Sequence, residues 1–314
     1  MAGATGTIGQ AVARALVAQG HEVVCLVRPR DGLDYLLPDV DLRLGDVTDQ
    51  ASIGRDGING ERFDAVISCL ASRTGAPKDA WAIDHQANLN LLSAAKEAGV
   101  RHFVLLSAIC VQKPMLAFQH AKLAFEEALI NSGLTYSIVR PTAFFKSLSG
   151  QLDRVRAGKP FLVFGDGKLT ACKPISDEDL ADFITGCLGN PSRQNTILPV
   201  GGPGEALTPL DQGKALFAAL EQEPKIKRVP VALISTIIAV LSAVGKIVPS
   251  LAEKAELARI GRYYATQSML VWDAQAGRYS AEATPSYGRH TLAEFYGKLV
   301  RGEVAIERGD HAVF

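Results

Sequence analysis

The sequence is poor in the features that mark several protein classes. It has no net charge, since 33 basic and 33 acidic side chains cancel, and so lacks the basic excess expected of a nucleic-acid binder. With 47% hydrophobic residues it also lacks the composition of a disordered chain. None of its five cysteines, Cys25, Cys69, Cys110, Cys172 and Cys187, stands at C-x-x-C spacing from another. Free thiols in a reducing, cytoplasmic location are therefore expected, rather than a disulfide frame or a cysteine-bound zinc. The six histidines form no H-E-x-x-H or H-x-x-E-H pair, which leaves no metal site to predict. No secretory leader is legible at the start.

What the chain has is glycine, in a particular place. Gly3-Ala4-Thr5-Gly6-Thr7-Ile8-Gly9 runs into an amphipathic stretch, 10–19, that stops at Gly20 and is followed by an apolar run, 22–27. A glycine turn that opens a helix and leads to a strand is a βαβ signature. The glycines let backbone approach a pyrophosphate lying on the helix N-terminus. The spacing is G-x-x-G-x-x-G rather than the general G-x-G-x-x-G. Only Met1 and Ala2 precede the turn where about five apolar residues are usual. Either the true start of the chain lies upstream, or the first strand is stunted.

The pattern then repeats. Apolar runs at 22–27, 41–44, 65–70, 102–106 and 136–139 alternate with helical stretches, among them 80–98 before Gly99 and 122–131 before Gly133. This alternation predicts an α/β, Rossmann-like, doubly wound parallel sheet, with ligands at the carboxyl ends of its strands. Residues 1–150 are read as the dinucleotide-binding domain and 151–314 as a smaller substrate-binding portion interleaved with the sheet.

The end of the 22–27 strand selects the dinucleotide. An NAD enzyme places a carboxylate there for the ribose 2′-hydroxyl, whereas this chain has Arg28-Pro29-Arg30 and no acid before Asp31. Arg28 is read as the clamp on a 2′-phosphate, because guanidinium and phosphate match in a two-pronged hydrogen bond, so the cofactor is NADPH. Asp46 and Val47, after the next strand, suit the adenine, and 68–72 suit the adenosine ribose.

Catalytic residues are expected after the 102–106 strand, and there the chain resembles the short-chain dehydrogenase superfamily. Ser107 closes the strand as it does there, but the superfamily's Tyr-x-x-x-Lys reads Phe118-Gln119-His120-Ala121-Lys122. The lysine is kept and the tyrosine is phenylalanine. A carbonyl reducer needs an acidic hydroxyl aimed at the developing alkoxide, which phenylalanine cannot supply. The reaction that fits is reduction of a carbon–carbon double bond conjugated to a large electron sink. A non-catalytic NADPH sensor of the NmrA-like kind is the competing reading, and the retained Lys122 argues against it.

The blocks at 107–114, 118–123, 139–147, 165–176 and 268–273 together resemble the divinyl chlorophyllide 8-vinyl reductase family, atypical short-chain dehydrogenases near the isoflavone-reductase and NmrA-like groups. The resemblance runs from the glycine turn to about residue 297. It implies reduction by NADPH of the 8-vinyl group of a magnesium tetrapyrrole, divinyl (proto)chlorophyllide, to ethyl in chlorophyll or bacteriochlorophyll synthesis. It also implies that Gly3, Thr5, Gly6, Thr7, Ile8 and Gly9 hold the pyrophosphate and that Arg28 takes the 2′-phosphate. Ser107 and Lys122 would flank the nicotinamide ribose, and Pro141, Thr142, Ala143 and Phe144 would lie against the nicotinamide. Lys122, or a water it holds, is the candidate proton donor; the alternative is that it only binds ribose. His120 reads as a helix-face residue rather than a magnesium ligand. Phe144, Phe145 and Phe161 are candidates for flat walls around the macrocycle or for core.

The most apolar segment is 229–245, uncharged between Arg228 and Lys246. It is short of the about 20 residues needed to span a bilayer. It reads either as a buried or lid helix, or as an interfacial anchor giving peripheral contact with the photosynthetic membrane through 225–246, with Lys225, Lys227 and Arg228 toward anionic lipid.

Overall fold

A computed structural model describes residues 1–245 and 249–304. Its strands are β1 (Val24–Val27), β2 (Asp41–Leu44), β3 (Ala65–Ser68), β4 (His102–Leu106), β5 (Thr135–Pro141), β6 (Phe161–Phe164), β7 (Thr196–Val200), β8 (Ile226–Val229), β9 (Val271–Asp273) and β10 (Arg278–Ser280). The main sheet is parallel throughout, in the order β2-β1-Ala2-β3-β4-β5-β7. The position between β1 and β3 is held by Ala2, which bridges Leu26 on one side and Ser68 on the other. Its neighbours complete the ladder, with Leu26 N–H on Met1 O at 3.0 Å and Cys69 N–H on Ala2 O at 2.9 Å.

Side-chain alternation along the strands builds two cores. On β4, Val104 and Leu106 pack with Ile8, Val12 and Leu16 of the helix Thr7–Ala18 and with Leu180 and Ile184 of the helix Asp177–Thr185. Phe103 and Leu105 point the other way, toward Leu91 and Leu92 of the helix Asn88–Glu97 and Phe125 and Leu129 of the helix Ala117–Ile130. All five residues of β4 are buried, as a central strand covered on both faces requires.

Two helical expectations shift. The stretch 80–98 is a chain of three pieces, Pro77–Ala80, a π-helical Trp81–Ala87 and Asn88–Glu97. The helix expected from residue 122 begins a turn earlier, at Ala117, because the Gln119 side chain accepts from the Met115 and Leu116 amides at 2.7 and 3.0 Å and caps it.

The later half of the chain contributes β7 to the main sheet and forms a further layer. There β6 and β8 pair in parallel, and Phe161, Val163, Leu216, Phe217 and Tyr296 make a separate core with Phe145. The chain then returns to the sheet: Ser286 bridges Gly201, and Asp179 accepts from the Arg289 and His290 amides at 3.2 and 3.0 Å and faces His290 Nδ1 at 3.0 Å.

The apolar segment is a helix, Val231–Gly245, packed against the helix Pro249–Thr266. The buried-helix expectation fails, since none of its residues is buried. Val231, Ile234, Ile238 and Leu241 are half-buried. Leu233, Ile237, Val240 and Val244 form an opposite stripe, 42 to 57% exposed. Among the described residues no helix is long and apolar enough to cross a membrane, and Lys246 lies outside the described residues.

Candidate active site

The carboxyl ends of β1 to β5 and β7 share one edge of the sheet, and the glycine turn lies there. Each glycine answers a different constraint. Gly3 has φ +79°, and a Cβ on it would come within 2.5 Å of the Cys69 carbonyl, so the 68–72 backbone passes directly over the turn. A Cβ on Gly9 would stand 2.0 Å from Gly3 O. Gly6 is exposed, and a Cβ there would meet only Gly3 O at 3.5 Å, leaving its outer face open. Gly6 precedes a helix with no side-chain cap, so the first-turn amides are available to an anion. Thr5 and Ile8 contribute backbone here: Thr5 O accepts from Gln10 Nε2 at 3.0 Å, and the Ile8 side chain is buried in the core. Thr7 Oγ1 accepts from Lys146 Nζ at 2.8 Å.

At the neighbouring strand ends Arg28 is exposed, and Asp46 lies near enough to feel its charge. The Asp46 carboxyl is held below its ordinary range, first by hydrogen bonds from the Thr48 amide and hydroxyl, both at 2.8 Å, and less by Arg28. Val47 offers its carbonyl to Asn90 Nδ2 at 3.2 Å. These features fit a dinucleotide: an open glycine over a free helix N-terminus for the diphosphate, and an exposed guanidinium for a 2′-phosphate.

Lys122, its side chain mostly covered, lies beside a carboxylate that sequence reasoning missed. Its Nζ lies 2.9 Å from Asp84 Oδ1, on the π-helical turn, and the same oxygen accepts the Ser72 amide at 3.2 Å. Asp84 Oδ2 is buried without a hydrogen-bond partner among the described residues. Ser107 stands at the end of β4, but its hydroxyl donates to Glu126 Oε1 at 2.5 Å, and Glu126 is paired with Arg140.

Phe118 is packed rather than presented to solvent. Its ring and Ile260 enclose Gly75, and it clusters with Cys110, Tyr263 and Tyr264. Tyr263 OH donates to Cys110 O at 2.9 Å, so the helix Pro249–Thr266 is tied to the loop after β4. Burial pushes the Cys110 thiol up, against weaker opposing effects from Gln119, Lys122 and Tyr264. Among the residues expected against the nicotinamide, Thr142 is spoken for, its hydroxyl donating to Lys173 O and its amide to Val200 O. Ala143 O accepts from Ile175 N–H at 3.0 Å, Pro141 is buried, and Phe144 is half-buried. Phe145 and Phe161 are buried in the second core, which removes them as walls for a ligand, and His120 is exposed on its helix.

The fold and this site define an NAD(P)H-binding oxidoreductase of the Rossmann type, and a family profile described as NAD(P)H-binding matches residues 3–191. The chain belongs to the divinyl chlorophyllide a 8-vinyl-reductase family. It is 49% identical over 327 residues to the chloroplastic reductase of Oryza sativa subsp. indica, covering 99% of this chain and 81% of that protein. Against the Arabidopsis thaliana reductase the identity is 48% over 319 residues, covering 96% and 76%. Among solved structures, the Escherichia coli NADPH-dependent quinone oxidoreductase complexed with NADPH superposes with a TM-score of 0.67 at 18% identity, covering 95% of this chain and 98% of that one. At that identity the likeness concerns the fold.

Proposed function

We propose that this protein uses NADPH to reduce the 8-vinyl group of a divinyl (proto)chlorophyllide to ethyl, in chlorophyll or bacteriochlorophyll synthesis. The observation that carries the reading is the 49% identity to the rice reductase over nearly the whole chain. The site supports it, because the lysine of the dehydrogenase pattern is kept while its tyrosine is Phe118, packed in an apolar cluster. NADPH supplies the hydride. The protein's own residues then have to hold the cofactor, orient a flat apolar substrate and deliver one proton.

In this reading the glycine turn and Arg28 hold the cofactor within 1–150, Asp46 and Val47 border the adenine, and the pigment lies between the strand ends and 151–314. Pro141 and Ala143 back the nicotinamide side, with Phe144 at its edge. The role left for Ser107 is to fix Glu126 and Arg140 beneath the site. Lys122 is the proton donor: the Asp84 pair presents it as an ammonium at the strand ends, and the acceptor is the carbon next to the macrocycle once the vinyl group has taken hydride. Incubation with NADPH and divinyl chlorophyllide tests the function. A blue-shifted Soret band of the 8-ethyl product is expected, and an unchanged spectrum beside intact NADPH binding would favour the sensor.

The exposed stripe Leu233, Ile237, Val240 and Val244, with exposed Lys225, Lys227 and Arg228 just before it, supports peripheral contact with an anionic photosynthetic membrane. Ile234 and Ile238 are half-buried, so the informative variants are Leu233→Asp and Ile237→Asp. Pelleting with anionic vesicles should drop in both, and equal pelleting would remove the anchor.

A further inference from the structure

Lys146 sits in the turn Lys146–Leu148 after β5, beside the glycine turn; it falls in the 139–147 block, where the resemblance gives it no role. Its ammonium donates to Thr7 Oγ1 at 2.8 Å, and Thr7 is the first residue of the uncapped helix. This places a full positive charge where the helix already presents its positive end and free amides.

The carboxylate that would ordinarily neutralise it does not. Asp177, the first residue of the helix Asp177–Thr185, feels the charge of Lys146, yet its Oδ1 is buried without a hydrogen-bond partner among the described residues. A lysine and a partly buried carboxylate that sense each other's charge commonly close into an ion pair, since an uncompensated buried charge is costly. Here the lysine is turned instead to a neutral hydroxyl of the glycine turn, as a cation would be if its anion came from the ligand.

We infer that Lys146 is a ligand of the cofactor's pyrophosphate, reaching it from beside Thr7, and that the charge state of Asp177 tunes that contact. The inference rests on the NADPH reading above. Burial, then Glu178, push the Asp177 carboxyl up to about 6, against Lys146 and Arg14. The charged groups around it are Glu178 on its own helix, Arg14 on the first helix and Lys146 beyond β5; Asp179 is engaged with His290. Ionised Asp177 offsets Lys146 and repels a diphosphate, so affinity falls as pH rises through this carboxyl's range.

The test is titration of nicotinamide fluorescence with NADPH at fixed ionic strength, with 2′-AMP as a competing probe that carries the 2′-phosphate but no pyrophosphate. Lys146→Met should weaken NADPH by about tenfold or more, the loss of a charge-assisted hydrogen bond. It should leave 2′-AMP within about twofold, and Lys146→Arg should restore most of the NADPH affinity. Asp177→Asn should tighten NADPH above pH 6 and flatten its pH dependence. NADPH binding by Lys146→Met equal to wild type, or an equal loss for 2′-AMP, would overturn the inference. Failure of the wild-type protein to bind NADPH is a separate result, and it would overturn the cofactor reading itself.

Discussion

Lys122 and Asp84 are joined at 2.9 Å with side chains only 11% and 1% exposed, so the one lysine retained from the dehydrogenase pattern is held by a carboxylate on a different helix. Removing one partner of such a pair strands the other. Asp84→Asn keeps the shape but leaves the ammonium uncompensated, and should cost about 3 kcal/mol of stability. It should also lower kcat more than it raises the KM for NADPH, because Lys122 loses its aim rather than the cofactor its phosphate contacts. Chemical unfolding and steady-state kinetics on the same preparation check this. Lys122→Met should abolish turnover at saturating NADPH, and unchanged turnover would take Lys122 out of the proton-donor role.

The glycines separate folding from binding. Gly9→Ala puts a methyl 2.0 Å from Gly3 O and should destabilise the first βα unit. Gly6→Ala meets ordinary contact at 3.5 Å and should leave the melting temperature nearly unchanged. It should still weaken NADPH, because the new methyl occupies the open face above the helix N-terminus. Thermal melts paired with binding titrations distinguish the two.

Arg28 is exposed at the end of β1, which predicts a change of selectivity rather than of fold. Arg28→Leu should reduce kcat/KM with NADPH by about tenfold or more, and leave the NADH value little altered. A ratio of the two that does not move would place the 2′-phosphate elsewhere.

Asp177 predicts a pH dependence of stability. With its carboxyl pushed up to about 6, the folded protein holds that proton more tightly than the unfolded chain does. Its contribution is therefore favourable in acid, and is lost as pH rises from the unfolded value near 4 through 6. Asp177→Asn should be more stable than wild type above pH 6, by on the order of 2 kcal/mol, with the gap closing below about pH 4. Denaturant midpoints across that range measure it.

The sheet was readable in the sequence because parallel strands covered on both faces are written as apolar runs; 102–106 reads as β4 to the residue. Ser107, Lys122 and the glycine turn are singled out in the sequence because local spacing marks them, whereas the tie of Ser107 to Glu126 carries no such mark. Asp84 was not, since nothing in its neighbourhood signals a partner brought in by the packing of two helices. Tyr263 and Tyr264 were missed for the same reason, because they reach Cys110 only through the return of a late helix. Ile234 and Ile238 looked equivalent to Leu233 and Ile237 in an uncharged, largely apolar run, and only the packing of Val231–Gly245 on its neighbour tells the two faces apart.

The matched family profile ends at residue 191, but β7 (Thr196–Val200) and the Ser286 bridge to Gly201 come after it. A fragment cut at that boundary would lose the strand that pairs with β5, and with it Ser286 and the His290 contact on Asp179. The bared edge of β5, with its row of unpaired amides and carbonyls, would invite self-association, so cofactor binding has to be measured on the whole chain.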